Sequence, residues 1–163
     1  FKNFFMIGIL GGMGTQAGLD FCTKLAKLNR GKTDQNYPLF LLYNKSNIPD
    51  RKQNLKKYNK VLKSLLDGCK FLERNKCKFI SIPCNTAHHW YEDLKKRTKI
   101  PILNMPETVY LNTKKNCKKI ILGCTELPIA IFAYKSFKKA KHSKIFLDPN
   151  LLLAQASMRY YKK

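Results

Sequence analysis

Apolar and polar positions alternate along the chain between short unbroken runs and stripes at helical spacing. Phe4–Leu10 is an apolar run ended by Gly11-Gly12-Met13-Gly14, the signature of a strand buried on both faces. From Thr15 to about Asn29, Ala17, Leu19, Phe21, Cys22, Leu25 and Leu28 recur near a 3.6-residue period and predict a helix. Leu39–Tyr43 predicts a second strand, entered through Pro38 and leaving into the polar stretch Asn44–Asp50. Leu55, Tyr58, Val61, Leu62, Leu65, Leu66, Cys69 and Leu72 predict a long amphipathic helix. Phe79–Ile82 is the next strand, Ala87–Arg97 a helix, and Pro101–Leu103 a short strand. Thr108–Lys115 has helical character, and Lys119–Leu122 and Lys144–Leu147 are strands. Asp148-Pro149 opens a last helix, with Asp as N-cap and Pro in the first turn.

Repeated strand–helix alternation predicts an α/β protein with a parallel sheet and right-handed crossovers. Ligands in such sheets collect beyond the carboxyl ends of the strands, so chemistry is sought just after each strand.

With 163 residues and 44% hydrophobic side chains, the chain can build one core or two small lobes sharing one, and is not a disordered polymer. No apolar run reaches the ~18 residues of a membrane span. Phe4–Leu10 lacks the basic leader and cleavage site of a secretory signal, so a soluble cytoplasmic protein is expected. The chain opens on Phe1 rather than Met, as a fragment or a processed form would. The net charge of +22 would draw polyanions to the surface whatever the fold. Yet Lys far outnumbers Arg and is scattered along the whole chain, in the manner of AT-rich codon bias. A nucleic-acid partner is therefore not expected.

The six cysteines narrow the chemistry. Zinc sites pair ligands two to four residues apart, and the closest spacing here is seven, so no metal is expected. Cys22 and Cys69 sit on apolar helix faces and read as packing. An internal echo at an offset of 40 residues singles out two others. Cys77–Thr86 aligns with Cys117–Glu126, and in each copy an apolar strand ends in a cysteine followed by helix-capping residues. Cys77 and Cys117 precede their strands and read as structural, while Cys84 and Cys124 follow them. The positive end of a helix lowers a thiol pKa from its usual ~8.5. One thiolate and one thiol on opposite sides of a carbon form a matched base and acid.

In four stretches the chain resembles the aspartate/glutamate racemase family. These are Ile7-Gly8-Ile9-Leu10-Gly11-Gly12-Met13-Gly14, Ile48-Pro49-Asp50-Arg51, Pro83-Cys84-Asn85-Thr86-Ala87-His88 and Leu122-Gly123-Cys124-Thr125-Glu126-Leu127-Pro128. Asp148-Pro149 before the final helix also fits. The resemblance implies a Rossmann-like lobe over residues 1–105, a shortened second α/β lobe over 106–148, and a helix over 149–163 packing back on the first lobe. It implies a racemase working without PLP or any other cofactor, with Cys84 and Cys124 as the two catalytic acid/bases. Asn85, Thr86 and Thr125 would bind the α-carboxylate and amino group of aspartate or glutamate, with Met13 also on the substrate side. Arg51 would clamp the side-chain carboxylate, and Glu126 would hold the ammonium or cap its helix. His88 and His89, one turn past Cys84, are expected to orient or pack. Family members commonly pair, which makes a homodimer compatible with the chain.

Two features depart from the family pattern. Only 39 residues separate Cys84 from Cys124, far fewer than usual, and the loss falls on the second lobe. Thr15 stands where proline is common. The alternative reading is an inactive relative that binds an acidic amino acid or survives as a structural remnant. Gly12-Met13-Gly14-Thr15-Gln16-Ala17 also satisfies a dinucleotide fingerprint. That fingerprint needs an acidic residue after the second strand, where Asn44-Lys45-Ser46 stands instead.

Overall fold

The computed structural model describes residues 5–28, 33–51, 53–54, 57–113, 120–121, 123–124 and 146–162. Three parallel strands form the central sheet in the order β2-β1-β3, with β1 spanning Met6–Gly11, β2 Phe40–Asn44 and β3 Cys77–Ser81. Ile7 pairs with Phe40 on one side and with Phe79 on the other, which fixes the register of all three. Both faces of β1 are covered, as its unbroken apolar sequence requires.

One face is packed by α1 (Thr15–Leu28) and the last helix, α5 (Pro149–Tyr161), which close over Ile7, Ile9 and Phe79 with Phe21, Leu25, Leu153 and Met158. The other is packed by α2 (Tyr58–Arg74) and α3 (Tyr91–Arg97), which bring Val61, Leu65, Leu72 and Leu94 against Leu10 and Ile80, with Trp90 from the turn before α3. The helix α4 (Met105–Thr113) adds Met105 and Val109 to the α1–α5 side. A separate parallel pair joins β4 (Ile120–Ile121) to β5 (Phe146–Leu147).

The strand–helix order read from the sequence is that of the structure, with four adjustments. Cys77 is the first residue of β3 rather than a residue before it, because a bulge between Met6 and Ile7 lets Cys77 pair with Met6. The segment 101–103 contributes a single bridge, Ile80 to Ile102, and not a strand. Pro101 has no N–H to extend the ladder, although its carbonyl accepts from Ile80 N–H at 2.8 Å. The expected helix from Ala87 begins instead as a 3-10 turn, Thr86–Trp90, before α3. Finally, α4 starts at Met105 rather than Thr108, because Asn104 Oδ1 caps it by accepting from Glu107 N–H at 3.0 Å. Asn29, Leu55, Lys115, Lys119, Leu122 and Lys144, at the expected element ends, lie outside the described residues.

Buried polar contacts fix α5 in place. Asp148 Oδ1 accepts from Leu151 N–H at 3.2 Å, the N-cap expected from Asp148-Pro149. Lys24 of α1 bonds both Asp20 and, at 2.6 Å, Asp148. Asn150 donates to the Ala17 carbonyl at 3.0 Å. Ser157 Oγ donates to Leu153 O at 2.8 Å, so Ser81 must be the donor in its 2.7 Å contact with Ser157. Among the described residues no helix is long and apolar enough to cross a membrane.

Candidate functional site

The turn after β1 lies against the loop after β2. Gly12 has φ +91°, and a Cβ there would lie 2.3 Å from the Lys45 carbonyl carbon, so only glycine lets this turn touch the loop after β2. At the end of β2, Asn44 Nδ2 donates to Thr15 Oγ1 at 3.4 Å. The position where a dinucleotide site needs a carboxylate is thus occupied by an amide engaged with α1.

Met13 follows the glycines and is buried in the same apolar cluster as Ile48, Ile82 and Cys84. Ile48 anchors the loop leading to Arg51. There Asp50 Oδ1 accepts from Gln53 N–H at 2.8 Å and organises the turn. The Arg51 Nε is buried and has no hydrogen-bond partner among the described residues. A charged donor of this kind is costly to leave unmade, and a bound carboxylate would satisfy it.

Cys84 lies three residues past β3 and is 4% exposed. Its N–H donates to the Ile82 carbonyl at 2.8 Å, turning the chain sharply away from the sheet. Asn85 is the N-cap residue of the following 3-10 turn and is exposed, and Thr86 is half-buried. Cys124, past β4, is exposed. The two thiols, alike in sequence, therefore have unlike surroundings. Asn85 Nδ2 donates to the Gly123 carbonyl at 3.2 Å, joining the segment of one cysteine to that of the other. Thr125, Glu126 and Cys117 lie outside the described residues.

Beside this bond opens a cavity of about 260 Å³, lined by Asn85, Gly123, Pro106, Val109, Tyr110 and Pro149. Its lining takes in the neighbours of both cysteines and not the cysteines themselves. The contributions of α4 and Pro149 are ones that sequence reasoning missed. The cap Asn104, with Pro106 and Glu107 in the first turn, was the signal for the start of α4.

Cys22, Cys69 and Cys77 are packed into the fold, half-buried or buried. Burial pushes the Cys69 thiol up to about 12 and those of Cys22 and Cys77 up to about 11. Among the described residues the five cysteines form no disulfide. No cluster of three His, Cys, Asp or Glu among those residues could hold a metal ion.

His88 is the polar hub. Its Nδ1 lies 2.9 Å from the Cys84 carbonyl oxygen, and its Nε2 accepts from Met105 N–H at 3.1 Å. Burial lowers its pKa from 6.5, against the raising effect of the backbone carbonyls of Cys84 and Leu103.

Comparison with known proteins gives the setting. A family model described as Asp/Glu/hydantoin racemase matches residues 10–119. The broad specificity amino-acid racemase RacX of Bacillus subtilis (strain 168) is 29% identical over 144 residues, covering 86% of this chain. The chain spans 63% of the length of that relative. The crystal structure of an aspartate racemase homologue from Pyrococcus horikoshii OT3 superposes with a TM-score of 0.78 at 19% identity, covering 97% of this chain and 99% of that one. Picrophilus torridus aspartate racemase gives 0.72 at 27% identity, covering 98% and 92%.

Proposed function

Starting from the fact that the chain belongs to the Asp/Glu/hydantoin racemase family, we propose that it is a cofactor-independent amino-acid racemase acting on aspartate or glutamate. The single observation that carries the reading is the Asn85–Gly123 hydrogen bond, which draws together the segments bearing Cys84 and Cys124.

In this reading one cysteine, as thiolate, removes the Cα proton, and the pair of electrons left on carbon is delocalised into the α-carboxylate. The other cysteine, as thiol, returns a proton to the opposite face. The carbon is inverted, and the two sulfurs have exchanged protonation states, ready for the reverse direction. Asn85, Thr86 and Thr125 hold the α-carboxylate and amino group, where hydrogen bonds strengthen as charge develops. Glu126 holds the ammonium, and Met13 supplies apolar wall beside Cys84. Arg51 takes the side-chain carboxylate, and its buried Nε, without a hydrogen-bond partner among the described residues, supports a dicarboxylic amino acid as substrate.

The test is incubation of the full chain with L-aspartate and L-glutamate without added PLP, followed by chiral chromatography. Appearance of the D-enantiomer is expected; its absence for both overturns the reading.

A second reading is favoured by one observation: the cavity is lined by Asn85 and Gly123 but by neither sulfur. A relative that binds an acidic amino acid without turning it over would show calorimetric binding of aspartate with no D-enantiomer formed.

A further inference from the structure

His88 is wired to backbone on both sides of its ring. Met105 N–H can only donate, so Nε2, 3.1 Å away, carries a lone pair and no proton. The one ring proton of the neutral imidazole then sits on Nδ1 and is donated to the Cys84 carbonyl at 2.9 Å. The Leu103 carbonyl, 3.4 Å from Nε2, offers no hydrogen bond to this tautomer. The His88 main chain is engaged too, its N–H donating to Asn85 O at 3.0 Å. A single residue thus holds the carbonyls of both Cys84 and Asn85. Tyr91 stacks on the ring, with centroids 6.1 Å apart and planes 19° from parallel, and its own hydroxyl donates to Ile102 O at 3.3 Å.

Neither ring nitrogen is available to a substrate, which sets His88 apart from an acid/base group. What the ring does is tie Cys84 to Met105, the first residue of α4. That helix supplies Pro106, Val109 and Tyr110 to the cavity wall, and Asn85 and Gly123 line the same cavity. We infer that His88 is a positioning residue, a neutral clip that sets Cys84 relative to α4 and so to the second half of the site. For its catalytic consequence the inference rests on the racemase reading above; for the placement of Cys84 it does not.

Two variants separate the clip's ends. In His88→Asn the side-chain amide stands where Nδ1 stood and keeps a donor for Cys84 O, while nothing accepts from Met105. In His88→Gln the amide reaches the Nε2 position, keeps the Met105 contact and releases Cys84. With the full chain, the rate of Cys84 alkylation by iodoacetamide is followed across pH by peptide mass spectrometry, beside kcat and KM for racemisation. Circular dichroism checks that both variants fold. The clip predicts that His88→Gln changes Cys84 alkylation severalfold and lowers kcat about tenfold or more with little change in KM. It predicts that His88→Asn, which frees Met105 but keeps the Cys84 bond, lowers kcat by a similar factor, since breaking either end undoes the tie, and leaves Cys84 alkylation near the wild type. A wild-type kcat in either variant, or equal Cys84 alkylation in the two, overturns it. Alkylation needs no turnover, so a wild-type chain that racemises nothing sinks the racemase reading and leaves the order of the variants on Cys84 to decide this one.

Discussion

Asn85 donates its side-chain amide to the Gly123 carbonyl across 3.2 Å, so the residue after one cysteine is bonded to the residue before the other. The bond is exposed and its worth to stability is small, roughly 0.5–1.5 kcal/mol. Its worth to geometry is larger, since displacements near 1 Å cost about a hundredfold in rate. Asn85→Ala is therefore expected to lower kcat by about ten- to a hundredfold while the unfolding midpoint in urea moves little. A variant with full turnover would show that the bond does not set the spacing.

Arg51 carries a buried Nε with no partner among the described residues. Removing such a donor relieves a desolvation cost that nothing offsets in the ligand-free protein. Arg51→Met is expected to leave the melting temperature unchanged or raised. The same change is expected to raise KM for aspartate by about tenfold or more, the loss of a charge-assisted bond. Thermal melts and initial rates read the two effects separately. A large loss of stability would make Arg51 a structural residue.

Burial holds the His88 pKa below 6.5 in the folded chain, so the unfolded chain takes up that proton at higher pH. The stability owed to the neutral ring is full above pH 6.5 and declines as pH falls toward the lower folded value. Urea unfolding between about pH 7 and pH 5 should therefore show a falling stability in the wild type that is shallower in His88→Asn. Parallel slopes would mean that the ring charges without penalty.

The thiols sort by environment. Cys69, pushed up to about 12, and Cys22 and Cys77, pushed up to about 11, are almost wholly protonated at pH 8. Cys124 is exposed. Iodoacetamide at pH 8 is expected to label Cys124 well ahead of those three, as peptide mass spectrometry would read. Prior labelling of Cys69 would mean that the α2 face of the core opens.

Much of this was legible in the sequence because the strands are buried on both faces. Ile7–Leu10 and Phe79–Ile82 have no polar residue but one serine, Ser81, and that serine finds Ser157. The helix over Val61–Leu72 declares itself by its stripe, and Asp148 by its cap. Cys84 and Cys124 stand out through the echo at 40 residues, because each follows an apolar strand in the sequence. What the sequence hides is set by single backbone hydrogen bonds. The extent of β3 depends on one bulge, and the start of α4 on one cap. The unlike burial of the two cysteines is tertiary, since Cys84 shares a cluster with Met13 and Ile48 from distant turns. His88 is expected from the sequence to orient or pack, but its partners, Met105 N–H and the Cys84 carbonyl on its two nitrogens, come only with the structure.

The measurement that bears most directly on the account is deuterium incorporation at Cα, read by proton NMR or mass spectrometry of aspartate in D2O. The wild-type chain, with no PLP added, should wash the label into both enantiomers as they interconvert, and Cys84→Ser and Cys124→Ser should each stop the interconversion. Undiminished racemisation in either variant, or no incorporation by the wild type under conditions where it binds aspartate, would contradict proton transfer between two thiols.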